Sequence, residues 1–227
     1  MTDIIEVFDR EIFDIIVLTL RMTFLSTIIS SIIGIPLGLW LEASKIGKKG
    51  KKLIVTINRT LMAVPPVVVG LVVHLLFMRN GFFGFLRLLF TFEVMVIAQT
   101  IIITPIICGM VYTAASRSAP NIRYFAITMG ANKLQTKMLI VKELSDEIYF
   151  AIIAGFGRAM SEVGAIMIVG GNIRNQTRTM TTAISLLRNR GEINQAILLG
   201  VTLLIIVFII QIIGNLLRKK ERENENF

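Results

Sequence analysis

The stretch RSAPNIRYFAITMGANKLQTKMLIVKELSDE, Arg117 to Glu147, is polar, lies between long apolar runs, and is too patterned for a plain loop. Pro120 suits the first turn of a helix. Ile122, Ala126 and Met129 then fall on one helical face, Gly130 breaks it, and Leu134, Met138 and Val141 begin a second face at the same period. The spacing predicts two short amphipathic helices bent at a glycine and held between membrane spans. Such a surface fits pressing into another protein. A basic interfacial loop lying on anionic lipid has the same composition and is the alternative.

The chain around it is apolar. Of 227 residues, 54% are hydrophobic and the mean hydropathy is +0.74, above the share of soluble domains. Five runs are long enough to cross a bilayer, about Leu18–Leu41, Leu53–Met78, Val94–Ala115, Ile148–Val169 and Ile193–Leu217. This predicts an all-α membrane protein with residues 1–227 as one transmembrane domain. Ahead of the first span, Ile12 to Val17, flanked by Glu11 and Asp14, is expected to form a separate short interfacial helix. The isoelectric point near 10.1 does not point to nucleic acid. The charges sit in short loops, and the aromatic residues lie within the apolar runs, so no stacking platform is visible. Cys108, the single cysteine, excludes an intrachain disulfide. Asp3, Glu6, Asp9, Glu11 and Asp14 against one Arg10 argue against a cleaved signal, which needs a basic start.

Lysine placement sets the expected orientation. Every lysine falls after span one (Lys45, Lys48, Lys49, Lys51, Lys52), after span three (Lys133, Lys137, Lys142) or after span five (Lys219, Lys220). Arg117, Arg123, Arg218 and Arg222 join them, while Arg10, Arg79, Arg87, Arg174, Arg178, Arg188 and Arg190 lie opposite. The positive-inside rule then predicts an outer N-terminus, a cytoplasmic C-terminus and a cytoplasmic Gly130 segment.

Several residues inside the spans are candidates for function. Arg158 sits near mid-bilayer, roughly 15 Å from the inner end of span four. A charge there costs at least ~2.5 kcal/mol, so it should face the bundle or a wet cavity. Glu162, four residues on, shares its helix face and can pair with it. A gate pair open to a passing anion and a neutralised structural pair are both open readings. Pro65-Pro66 must kink or unwind span two, making either a gate or a structural bend, and Gly70 permits close helix packing. His74, the single histidine, reads as a satisfied polar side chain; no metal cluster accompanies it. Arg59 and Arg21 read as interface anchors. Gly170-Gly171-Asn172 allows a sharp turn whose N–H groups could hold an anion. Beyond it Met180, Ala183, Ile184 and Leu187 recur at helical spacing among Thr177, Thr179, Thr181 and Thr182, which predicts a short helix dipping into the outer face.

These residues carry a family resemblance. A glycine-centred cytoplasmic segment before the penultimate span resembles the coupling motif of type I ABC importer permeases. That pattern reads E-A-A, three residues, G, nine residues, I, then L-P. Ala126, Gly130 and Ile140 stand at its spacing; Tyr124 and Phe125 replace the Glu-Ala pair, and Lys142 and Glu143 replace Leu-Pro. IIGIPLGLWL (32–41) and LMAVPPVVVGLVV (61–73) are similar to the oxyanion branch. GRAMSEVGAIMIVGGNIRNQTRTMTTAI, Gly157 to Ile184, most resembles tungstate-type permeases; Ser161, Glu162, Val163 and Gly164 stand where molybdate and sulfate relatives usually carry Gly-Glu-Phe-Gly.

The resemblance implies a five-helix importer core, a coupling helix between spans three and four, and import of a tetrahedral oxyanion across a bacterial or archaeal cytoplasmic membrane. It implies a second permease copy, an ABC ATPase subunit that holds ATP and Mg, and an extracytoplasmic oxyanion-binding protein. Tyr124, Phe125, Ala126, Met129, Gly130, Ala131, Leu134 and Ile140 would meet the ATPase. Pro65, Pro66, Arg158, Ser161, Glu162 and Gly164 would line the path or gate. Gly170, Gly171, Asn172 and Thr177, with Arg174, Arg178, Arg188 and Arg190 around them, would face the binding protein. The chain lacks GxxxxGK[ST], the loop that cradles nucleotide phosphates, so no ATP hydrolysis is expected of it, and it binds no cofactor on this reading. The alternatives are a molybdate or sulfate permease of the same fold and, from another class, an ion-coupled carrier, for which inverted repeats are the expected sign.

Overall fold

The computed structural model describes residues 2–225, with side chains over 11–216 and at 218. The charges at Asp3, Glu6, Asp9, Arg10, Lys219, Lys220 and Arg222 lie outside the described side chains. Nine α-helices are described: α1 (Thr2–Ala43), α2 (Lys48–Ala63), α3 (Pro66–Phe77), α4 (Phe92–Thr128), α5 (Lys133–Glu143), α6 (Ser145–Met160), α7 (Gly164–Gly170), α8 (Met180–Asn189) and α9 (Ile193–Glu225). Three stretches are long and apolar enough to cross a membrane as single helices: Glu11–Ala43, Phe92–Thr128 and Ile193–Leu216. Two more pairs qualify as broken helices, α2 with α3 bent by 95° and α6 with α7 bent by 59°.

Helix α1 lies along α4. Small residues let the two backbones approach: a Cβ on Gly38 would stand 2.7 Å from the Cys108 carbonyl oxygen, and one on Gly34 would stand 3.1 Å from that of Thr104. The Gly34-x-x-x-Gly38 spacing is the small-xxx-small contact of membrane helices. Nearer the start of α1, Thr19, Thr23, Ser26, Thr27 and Ser30 are all buried. In hydrocarbon, packing of small side chains and interhelical hydrogen bonds replace the hydrophobic drive between helices. The core continues from Met22, Val73, Phe77, Val94, Met95, Ile166 and Val169 at one end to Ile103, Ile107 and Val111 in the middle. Ala115, Ala119, Ile140 and Leu144 close the end that carries Gly130. Helix α9 packs mainly on α8, and Leu198, Leu204, Phe208 and Ile213 on it are exposed.

Three expectations need correction. Ile12 to Val17 is no separate helix but part of unbroken α1, because nothing between Thr2 and the span interrupts the backbone bonds. Pro120 does not start a helix. It lies inside α4, which runs from the span straight into the segment before Gly130; the first of the two short helices is the end of a 37-residue one. The missing proline N–H frees one carbonyl about a turn earlier. Finally, Arg158 and Glu162 do not share a continuous helix: α6 ends at Met160 and α7 begins at Gly164.

Candidate functional site

Three places carry the candidate residues. The first is the elbow at Gly130, whose geometry is set by local sequence on both sides. Gly130 has φ +77°, the left-handed conformation in which glycine has no Cβ penalty. Its N–H donates to the Ile127 carbonyl at 3.0 Å and that of Ala131 to the Ala126 carbonyl at 2.9 Å, the paired bonds of a Schellman ending. One residue on, Asn132 Oδ1 accepts from the N–H groups of Leu134 and Gln135, and Gln135 Oε1 accepts from the Asn132 N–H. This capping box starts α5, leaving Ala131 alone between a closed helix end and a closed helix start. The elbow is therefore stiff. Asn132 followed three residues later by Gln135 was legible as a capping signal and is the reason α5 begins where it does.

The elbow residues divide by exposure. Tyr124, Phe125, Ile127, Met129, Leu134 and Met138 are 60–75% exposed, an unusual density of large apolar side chains for a polar segment. Ala126 and Ile140 are buried inside the chain, Ile140 packing with Ala115, Ala119 and Leu144. These two hold the elbow against the bundle; the others form its outward face.

The second place is where the two broken helices meet. Pro65 caps α3 and Pro66 occupies its first position, where a missing N–H is harmless. A Cβ on Gly70 would lie 2.7 Å from Ala165 Cα, and one on Gly164 would lie 2.6 Å from Val67 Cγ2, so α3 and α7 touch backbone to backbone just past their breaks. At the α6–α7 break, Glu162 is 5% exposed. Its Oε2 lies 3.4 Å from Arg158 Nη2, while its Oε1 accepts from the Ala165 N–H at 3.1 Å. The carboxylate thus serves both the arginine and the start of α7. Ser161 Oγ donates to the Arg158 carbonyl, and Thr181 Oγ1 donates to the Glu162 carbonyl at 2.8 Å.

Gln99 completes this junction and was missed in the sequence. Fully buried on α4, it donates from Nε2 to the Ala159 carbonyl at 2.6 Å and accepts from Ser26 Oγ at 3.1 Å. A carbonyl at a helix break inside a membrane protein needs partners from the protein, and Gln99 supplies one beside the Glu162 N–H, which donates to the same carbonyl at 3.3 Å. A lone glutamine within an apolar run was the available signal.

The third place is the turn at the opposite end of α4. Gly171 and Asn172 have φ +71° and +52°. The Gly171 N–H donates to the Met167 carbonyl, Thr177 Oγ1 donates to the Gly170 carbonyl, and the Ile173 N–H donates to Thr177 Oγ1. The turn is closed on itself by Thr177. Arg174 and Arg178 beside it both pair with Glu11, at 2.6 and 2.9 Å. Helix α8 does dip into the bundle: Met180 to Ala183 are buried, and the Met180 N–H donates to Thr19 Oγ1. His74 Nδ1 lies 3.4 Å from the Ile168 carbonyl and the ring meets Phe90 edge-on. Among the described residues, no group of three or more His, Cys, Asp or Glu side chains is placed to hold a metal ion.

The fold and these places define a multi-pass helical membrane protein whose bundle contains two bent helix pairs packed against each other. Residues 34–223 match the family described as the binding-protein-dependent transport system inner membrane component, and the chain belongs to that family. It is 40% identical over 203 residues to the tungstate uptake system permease protein TupB of Peptoclostridium acidaminophilum, covering 89% of this chain and 88% of that protein. It is 38% identical over 170 residues to a probable anion ABC transporter permease protein of Haloferax volcanii, covering 73% of each. Its fold resembles the crystal structure of an amino acid ABC transporter with histidines, with a TM-score of 0.66 over 95% of this chain and 96% of that one at 14% identity.

Proposed function

We propose that this chain is the membrane permease of an ATP-driven importer for a tetrahedral oxyanion, and that the anion is tungstate. The likeness to a protein named for tungstate uptake, at 40% identity across nearly the full length of both, is the observation that carries the substrate. The exposed apolar elbow supports the drive. Two copies would pack around one path in a bacterial or archaeal cytoplasmic membrane, each crossing five times with the bent pairs counted as single spans. The N-terminus would lie outside and the C-terminus inside, following the lysines. A separate ATPase would seat Tyr124, Phe125, Met129 and Leu134 in a groove on its surface. A binding protein would deliver the anion to the face around Gly170 to Thr177.

The stiffness of the elbow gives the mechanism its physical basis. A joint closed by a Schellman ending and a capping box transmits a push instead of absorbing it. On one side the push enters α4 without interruption; on the other it enters α6 and reaches the break at Ser161. There the Arg158–Glu162 contact would hold in one conformation and part in the other, presenting a guanidinium to a passing dianion. Strong retention in the path would slow release, so selectivity would rest chiefly with the binding protein.

Reconstituting the chain with its ATPase and binding protein, and measuring ATP-dependent uptake of tungstate, molybdate and sulfate side by side, tests this reading. Preference for tungstate is expected. Comparable uptake of all three would defeat the substrate while leaving the architecture. Flux driven by an ion gradient through the chain alone would defeat the importer.

A further inference from the structure

A cavity of about 420 Å³ opens between the end of α1, α2, α4 and α6, at the end of the molecule that carries the elbow. Its walls are mixed. Met62, Met110 and Phe150 supply apolar wall, and Arg59 and Arg117 line it from different helices. Two of the other polar side chains in the wall already have partners: Asn58 Nδ2 donates to the Pro105 carbonyl and Thr113 Oγ1 to the Gly109 carbonyl. Glu147 also lines the cavity, yet neither arginine forms an ion pair with it or with any other carboxylate among the described residues. The wall therefore keeps a net positive charge.

The helix that forms one side of the cavity is unusual. No residue of α2 is buried. Lys48, Lys49, Lys51 and Lys52 crowd its first two turns, and Leu53, Ile57 and Leu61 stand 49–61% exposed along it. A basic end followed by an exposed apolar edge is the pattern of a helix at the boundary between headgroups and acyl chains. Arg59 as an interface anchor fits that placement, but an anchor needs only one guanidinium in water, whereas here two exposed arginines from different helices line one half-open cavity.

We propose that Arg59 and Arg117 form a binding site for a tetrahedral oxyanion group, the phosphate of an anionic phospholipid or a free oxyanion. Guanidinium groups match the oxygens of such a group in bidentate fashion. Met62, Met110 and Phe150 would receive the glycerol and first acyl carbons of a lipid, for which a free anion has no use. The lipid form needs only that the chain sits in a membrane; the free-anion form rests on the import reading above.

Native mass spectrometry of the full-length chain released from nanodiscs of mixed phosphatidylcholine and phosphatidylglycerol distinguishes the two sources. Wild type, the Arg59→Gln/Arg117→Gln pair, the Arg59→Lys/Arg117→Lys pair and an Arg79→Gln/Arg87→Gln control are compared. If the ligand is a lipid, the wild type and control retain phosphatidylglycerol over phosphatidylcholine, the Lys pair retains it in part, and the Gln pair binds it at least about tenfold more weakly. In a second arm, binding of inorganic phosphate and of tungstate is measured in pure phosphatidylcholine nanodiscs. Loss of free-anion binding in the Gln pair, with lipid retention unchanged, assigns the site to the free anion. Equal lipid retention and equal anion binding in wild type and Gln pair overturn the proposal.

Discussion

Arg123 grips Glu42 with both terminal guanidinium nitrogens, Nη1 to Oε1 at 3.2 Å and Nη2 to Oε2 at 2.7 Å. Arg123 lies two turns before Gly130 on α4, and Glu42 lies on the last turn of α1. The carboxylate side chain is 9% exposed, so it relies on this partner. Lys51 Nζ also donates to the Glu42 carbonyl at 2.6 Å, drawing the start of α2 to the same point. Just beyond the elbow, Asp146 at the start of α6 pairs with Arg218 of α9 at 2.8 Å. The elbow segment is thus tied by ion pairs to α1 and to α9, besides its covalent continuity with α4 and α6.

Removing Arg123 leaves the nearly buried Glu42 carboxylate without its partner, whereas removing Glu42 leaves an arginine side chain that is 37% exposed. Arg123→Gln should cost about 2 kcal/mol and Glu42→Gln less, about 1 kcal/mol, each read as a lower unfolding midpoint in detergent. In the reconstituted importer each should reduce uptake more than ATP hydrolysis. The exchange Glu42→Arg/Arg123→Glu should recover part of both quantities; no recovery would show that the charges act separately.

Gly130 is strained by any side chain for conformational reasons alone, since a Cβ there would meet nothing within 4 Å. Gly130→Ala should cost about 1–2 kcal/mol at the elbow, and Gly130→Asn less, because asparagine tolerates the left-handed region. ATPase copurification should fall in the order glycine, asparagine, alanine. An unchanged yield with alanine would mean that the elbow bends elsewhere.

Gln99→Leu replaces the buried bridge between α1 and the α6 end with a side chain of similar size. The Ala159 carbonyl keeps the Glu162 N–H at 3.3 Å and the Ser26 hydroxyl keeps the Thr23 carbonyl at 3.1 Å, so the variant loses two buried hydrogen bonds without orphaning either group, at about 1–3 kcal/mol together. Thermal unfolding followed by tryptophan emission from Trp40 checks this. Gln99→Glu should be worse than Leu, since a buried charge without a counter-ion is added.

Gly70→Val should force α3 away from α7, because even a Cβ would come within 2.7 Å of Ala165 Cα. Overpacking of this kind costs about 1–3 kcal/mol. If the junction moves during transport, uptake should drop further than stability does. A variant with wild-type stability and uptake would show that the helices do not meet as closely as described.

Much of this fold was legible in the apolar runs. Leu18–Leu41, Val94–Ala115 and Ile193–Leu217 each lie within one helix, and Pro65-Pro66 announced the break in the second run. The break between α6 and α7, which has neither proline nor a helix-ending glycine at its start, was not legible. Periodicity extends across Met160 to Gly164 undisturbed, and what stops the helix is long-range: Thr181 holds the Glu162 carbonyl and Gln99 holds that of Ala159. The opposite difference is at Pro120, where a strong local signal for a helix start is overridden because Ala115 and Ala119, in the turn before it, are locked into the core. The spacing puts Ile122, Ala126 and Met129 on one apolar face, yet Ala126 is buried and Met129 exposed, since a helix leaving the bundle hides its residues unevenly. The Glu42–Arg123 tie joins residues 81 apart in sequence, beyond the reach of any local pattern.

The central claim is that the face around Gly130 is where a partner ATPase takes hold, on the inner side of the membrane. Replacing Cys108 with alanine and placing a single cysteine at Tyr124, Met129 or Leu134 allows cross-linking to the copurified ATPase subunit in inverted and right-side-out vesicles. Cross-links should form at all three positions, with labelling by an impermeant thiol reagent only in inverted vesicles. Labelling from the outer face, or full ATP-driven uptake with no cross-link at any of them, would contradict the account.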